Sequence, residues 1–151
     1  MDEGYSDYTT DFLVSENGKK YQNQLQTRLL QFAIDIIRFL FLLPFIKEME
    51  VFRYQLSKSG TSIGANYQES QAGTYNEFRS RIQICLREAK ETNYFLQVLK
   101  GLKLEETNYK FKKNIYTSEL ERLLKESDEI KRIFGSISTK TKKNKELKIK
   151  D

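Results

Sequence analysis

Ser59-Gly60-Thr61-Ser62-Ile63-Gly64-Ala65-Asn66-Tyr67-Gln68-Glu69-Ser70-Gln71-Ala72 is the stretch on which the fold turns. Small and polar residues crowd it, and helical patterns flank it on both sides. Gly60 and Gly64 stand four apart, so they share one helix face. Each costs about 1 kcal/mol of helix propensity relative to Ala. A helix carrying both is expected where two backbones come close enough to exclude larger side chains. Phe52, Leu56, Ile63 and Tyr67 supply apolar contacts, while Ser59, Ser62, Ala65 and Asn66 leave room for near approach. The expected helix covers residues 47–72, with a local break at Gly60 as the alternative.

Toward the N-terminus, Leu25, Leu29, Phe32, Ile36, Phe39 and Leu43 alternate steps of four and three. This is the seam of a bundle helix, expected over 19–43. Leu30, Ala33, Ile34, Ile37 and Phe41 add apolar surface beyond that seam, more than one four-helix core covers. The surplus predicts deep burial or a subunit interface. Asp35 and Arg38 interrupt the apolar run 29–45 and stand close enough to pair on one helix surface. A bundle helix is therefore expected there rather than a membrane span. Pro44 ends the helix or kinks the join to the next.

Toward the C-terminus, Gly73 is expected as a helix cap, and Thr74 with Glu77 as a capping box. The turn is short, so the helices on either side should be antiparallel neighbours. Tyr75, Phe78, Ile82, Cys85, Ala89, Thr92, Leu96 and Leu99 give the cleanest period in the chain, a helix over 75–100 closed by Gly101. Residues 101–116 are the least regular. Ser118 with Glu121 reads as a second capping box, opening a helix over 117–139 whose stripe includes Leu120, Leu123, Leu124, Ile130 and Phe134. The expected fold is all-α: an up-down-up-down antiparallel four-helix bundle with long helices. An acidic arm at 1–18 and a basic tail at 140–151 flank it, and there is no internal repeat or second domain.

Composition narrows the chemistry. A chain of 151 residues fits one domain with a substantial core. It has no His, which removes histidine triads, His–metal sites and histidine pH switches. Cys85 is the sole cysteine, so no intrachain disulfide can form, in keeping with a cytoplasmic location. Cys85 lies on an apolar stripe and reads as core. The acidic start is not expected to be a signal peptide. Asp2, Glu3, Asp7, Asp11 and Glu16 face no basic residue in the arm, so the net charge of +5 leaves +10 on the rest.

The candidate sites follow from charge and polarity. Ser59, Ser62, Asn66 and Glu69 are expected to form an interhelical polar network with Arg79 or Arg81, since buried polar groups must be paired. Glu69, Glu88 and Glu91 could hold a metal, but without His the usual di-iron bundle pattern fails. No phosphate loop, nucleophile elbow or zinc ligand set is present. No cofactor, metal or catalytic residue is expected, and the chain is read as a non-enzyme. Lys110, Lys112 and Lys113 alternate with Tyr109, Phe111 and Tyr116, either to hold phosphates and stacked bases or with the aromatics tucked under the bundle. Candidate nucleic-acid contacts are Arg79, Arg81, Arg87, Lys90, Lys110, Lys112 and Lys113.

Three segments together carry a resemblance: Ser59-Gly-Thr-Ser-Ile-Gly-Ala-Asn66, then Glu69-Ser-Gln71, then Leu86-Arg-Glu-Ala-Lys-Glu-Thr-Asn-Tyr94-Phe-Leu96. Over residues 20–140 the chain resembles the bacterial four-helix bundle family of proteins encoded in intervening sequences of 23S ribosomal RNA genes, also labelled S23. It departs at Phe95, where that family often has Trp, and in its acidic arm. The resemblance implies an up-down bundle that assembles into homopentamers. A related branch is the accessory variability determinant of diversity-generating retroelements, a basic pentameric barrel that works with a reverse transcriptase and its RNA. The resemblance thus implies a homo-oligomeric scaffold, with RNA or DNA and a reverse transcriptase as candidate partners and no membrane. A protein–protein adaptor without a nucleic-acid role is the alternative.

Overall fold

The computed structural model describes residues 16–149. Of the expected acidic arm, residues 1–15 lie outside them, as do Lys150 and Asp151 of the tail.

Helix α1 spans Glu16–Leu40. It buries Leu25, Leu29, Phe32, Ile36 and Phe39, the seam anticipated from their spacing. It stops three residues short of the expected end. Leu43 and Pro44 instead turn inward in the connection, and Arg53 Nη2 donates to both their carbonyls at 3.0 Å. A 3-10 turn over Lys47–Met49 leads into α2, Glu50–Ser70. Helix α2 is continuous through Gly60.

Both glycines face α1, but only Gly60 is pressed tightly against it. A methyl built at Gly60 would lie 3.0 Å from Ile36 Cγ2, and one at Gly64 3.4 Å from Leu29 Cβ. At Gly60 the helices approach as closely as the small residues predict.

Helix α3, Tyr75–Leu102, opens with the expected capping box. The Glu77 carboxylate accepts from Thr74 N–H at 2.6 Å, and Thr74 Oγ1 accepts from Glu77 N–H at 3.3 Å. Gly73 is not a left-handed cap, because no described glycine has positive φ. It is small because a Cβ there would strike Glu77 Oε2. Gly101 does not close α3 either. Lys103 makes the left-handed turn, at φ 49°. A second 3-10 turn over Leu104–Glu106 follows.

Helix α4, Lys113–Ile149, is much longer than expected. Ser118 is therefore an exposed residue inside the helix, not a cap. The helix starts early because the aromatic loop is anchored. Tyr116 stacks on Phe39 with centroids 5.5 Å apart, and Phe111 packs edge-on against Tyr116 at 5.4 Å. It continues into the expected tail because Ser138 and Thr141 are still buried. Gln83 Nε2 donates to Ser138 Oγ, and Tyr75 OH to the Thr141 carbonyl.

The four helices form a bundle in which α2 packs between α1 and α3, and α3 between α2 and α4. Helix α4 meets α1 more lightly, through the Phe39–Tyr116 stack and the ion pairs of Arg28 and Arg122. The core holds Leu29, Ile36, Leu56, Ile63, Ile82 and Phe134, all at 0–1% exposure. Cys85 is within it, a free thiol whose S–H points to the Ile63 carbonyl at 3.4 Å. Among the described residues no helix is long and apolar enough to cross a membrane.

Candidate nucleic-acid interface

The structure distributes the anticipated basic residues over three places. Arg81 faces α2, where Nη1 donates to Asn66 Oδ1 at 2.9 Å and Nη2 pairs with Glu69 at 2.8 Å. Its charge is thus already partnered across the α2–α3 seam, with the side chain 41% exposed. Lys110 and Lys112 are exposed on the α3–α4 loop. Lys113 beside them donates to the Thr107 carbonyl and lies 5.9 Å from the Phe111 ring centre. Arg87 and Lys90 are exposed on the middle of α3, and Arg79 is half-buried nearer its start, with Nε buried and without a hydrogen-bond partner. Of the interleaved aromatics, Tyr116 is buried and Phe111 half-buried, so these two support the bundle; Tyr109 is exposed.

The polar network divides. Asn66 and Glu69 share Arg81. Ser59, fully buried, accepts from Thr92 Oγ1 at 2.8 Å, across the same α2–α3 seam but apart from Arg81. Ser62 is satisfied within α2, donating to the Lys58 carbonyl at 2.6 Å. Glu88 has one carboxylate oxygen buried without a hydrogen-bond partner. Burial, and then the charge of Glu91, raise its pKa. Among the described residues no three His, Cys, Asp or Glu side chains are grouped as a metal would need.

Cation pairing decides which surface can bind an anion. Along α1–α4, Arg28 is held by Glu126 and Glu129, and Arg122 by Asp35 and Glu119. Asp35 thus reaches across to α4 instead of pairing with Arg38. At the loop end, Lys100 meets Glu121 and Lys103 meets Glu106. These surfaces are mixed in charge.

The groove between α3 and α4 differs. Lys90, Tyr94, Lys131, Arg132, Ser138 and Lys142 line it, with no carboxylate among its lining residues. Lys131 donates to Asn93 Oδ1 at 3.2 Å and stands 3.6 Å from Asp128, at the margin of the groove. Lys90, Arg132 and Lys142 make no ion pair among the described residues. Lys90 is among the contacts expected from sequence, whereas the α4 cations beside it are not. Their signal was present: Lys131 and Lys142 are eleven residues apart, three helical turns, and so lie on one face.

On the opposite side of the bundle, α1 shows the surplus apolar surface. Leu30, Ile34, Ile37 and Phe41 lie on one face, and Leu30 and Phe41 are 62% and 74% exposed. Phe45, Val51 and Tyr54 extend this surface at the α1–α2 corner.

A sequence model of the 23S rRNA-intervening sequence protein family matches residues 21–136. The chain belongs to this family. The crystal structure, at 1.70 Å, of a protein with unknown function from the S23 ribosomal protein family of Bacteroides thetaiotaomicron VPI-5482 is similar. Its sequence is 29% identical, the match covers 78% of this chain and 97% of that one, and the TM-score is 0.61. No curated protein matches the chain. The matched region of the 23S rRNA-intervening sequence protein family takes in all of α2 and α3 and most of α1. It ends inside α4, just beyond Lys131 and Arg132.

Proposed function

We propose that this protein is a non-enzymatic scaffold that assembles with copies of itself through α1 and binds nucleic-acid backbones on the far side of the bundle. The observation that carries the reading is the carboxylate-free row of cations on α3 and α4. It lies across the bundle from the exposed α1 stripe, so self-association through α1 leaves the cations outward. An assembly then presents several copies of the row, and multivalent contact raises affinity without new chemistry. The α1 stripe is the kind of contiguous apolar surface that proteins bury in assembly. The resemblance to the family supports a pentamer as the form of that assembly, and the resemblance to the retroelement accessory branch a reverse transcriptase as one enzyme partner. Lysines and arginines facing phosphates require no base-specific reader, so binding is expected to be tolerant of sequence.

The adaptor reading has its own observation, the mixed charge of the α1–α4 and loop-end surfaces. These suit a protein partner better than a polyanion.

Titrating full-length protein into labelled RNA across a range of salt separates the two. The scaffold reading expects log affinity to fall linearly with log salt, with a slope of about −2 per bound groove from three unpaired cations. Absence of binding at low salt, or binding indifferent to salt, would leave the adaptor reading standing.

A further inference from the structure

We infer that the α3–α4 groove takes a single, unpaired nucleic-acid strand, with Tyr94 stacking on a base and Lys90, Arg132 and Lys142 holding phosphates. The inference rests on the nucleic-acid reading above and narrows it to one groove and one class of strand.

Tyr94 is the sole aromatic lining the groove, and it is 62% exposed. Phe95 meets it edge-on at 5.6 Å. A large ring left in water beside cations is the pairing that single-strand sites use, since every base has a face to stack and every nucleotide a phosphate. Arg87, Lys90 and Tyr94 fall at i, i+3 and i+7 along α3, and so share a face. From Lys131 to Lys142 the α4 wall runs about 16 Å at 1.5 Å per residue. That is the axial length of roughly five stacked nucleotides.

Gly135 is the second observation. It sits in the middle of α4 and lines the groove. Glycine is unfavourable inside a helix, and at Gly60 the close approach of α1 accounts for it. At Gly135 an added Cβ would meet nothing within 4 Å. No packing among the described residues accounts for the missing side chain. What it provides is an open floor on which a ligand can approach the helix backbone.

The deeper amides are already engaged. Asn93 donates to Asp128 at 3.0 Å and accepts from Gln97 and Lys131, and Gln83 is bonded to Ser138. The groove therefore holds a strand by charge and stacking without reading base edges. A duplex hides its base faces and would touch the rim alone.

The test is fluorescence anisotropy with full-length protein at about 50 mM salt. The probes are labelled oligo-dT and oligo-U of roughly twelve nucleotides, and a duplex of the same length. Both single strands should bind more tightly than the duplex; a gap between them would say whether the sugar matters. Tyr94→Ala should weaken single-strand binding at least about fivefold, and Tyr94→Phe should restore it. Gly135→Leu should melt no lower than the parent, since it improves helix propensity, yet lose single-strand affinity because it fills the floor. If the duplex binds as well as the strands, or Tyr94→Ala and Gly135→Leu bind like the parent while salt-sensitive binding persists, the groove assignment is wrong and the broader reading survives. If no nucleic acid binds, both are wrong.

Discussion

Replacing Gly60 and Gly64 by Ala, one at a time, puts the same methyl on neighbouring turns of α2, and the structure predicts different outcomes. Each change should gain about 1 kcal/mol of helix propensity. At Gly64 the new methyl meets Leu29 Cβ at 3.4 Å and its backbone at 3.6 Å, ordinary contact distances. Most of the gain should survive. At Gly60 it meets Cγ2, Cγ1 and Cβ of Ile36 at 3.0, 3.1 and 3.3 Å. Ile36 is fully buried and branched at Cβ, so its χ1 is stiff and no free rotamer relieves three contacts at once. Overpacking of this kind costs about 1–3 kcal/mol. Gly60→Ala should therefore be neutral or lose up to about 2 kcal/mol, and the two variants should differ by about 1–3 kcal/mol. Urea denaturation followed by far-ultraviolet circular dichroism, at one fixed protein concentration, reads this directly. Adding Ile36→Ala to Gly60→Ala should show favourable coupling, because the truncation makes room for the methyl. If Gly60→Ala is stabilised as much as Gly64→Ala, α1 does not press on Gly60 and the packing argument fails.

Further outcomes follow from charge and burial. The Thr74 amide holds the Glu77 carboxylate below the usual 4.5, so its contribution is present above that pH and is lost as pH falls through the folded value; Glu77→Gln should flatten the acid side of the stability–pH profile. Glu88 is shifted upward by burial, so it favours folding when protonated and loses that benefit as pH rises through its folded value. Glu88→Gln should raise Tm at neutral pH, with the gain shrinking toward pH 4. Burial pushes the Cys85 thiol up to about 12, so a thiol reagent at pH 8 should label it only as fast as the fold opens. Leu30→Glu combined with Phe41→Glu should lower the mass of the assembly while leaving the helical circular dichroism of the chain, because both side chains are exposed in the protomer.

Much of the bundle was legible because local penalties demand an explanation. Two glycines inside a helix pointed to the α1–α2 contact, and Thr74 with Glu77 marked the start of α3. The misses share one cause, which is that long-range contacts outrank local signals. Ser118 looked like a cap, but Phe111 and Tyr116 anchor the loop to Phe39, and the helix begins at Lys113. The tail looked like a solvated end, but Ser138 and Thr141 find partners on α3. Asp35 found Arg122 rather than its near neighbour Arg38. The site was less legible than the fold. A list of cations does not say which ones carboxylates already hold, and that pairing separates Arg81 from Lys90. Lys131, Arg132 and Lys142 were hidden for a related reason. Their shared face becomes meaningful once α4 is known to run past residue 139 beside α3.

The central claim is that copies of this chain assemble through α1 and carry nucleic acid on the opposite side. Light scattering during size exclusion, with and without single-stranded RNA at low salt, tests it most directly. The account predicts a mass of several chains that rises when RNA is added. High salt should remove the RNA and leave the protein assembly intact. A protein that elutes as one chain and ignores RNA would contradict both halves of the claim.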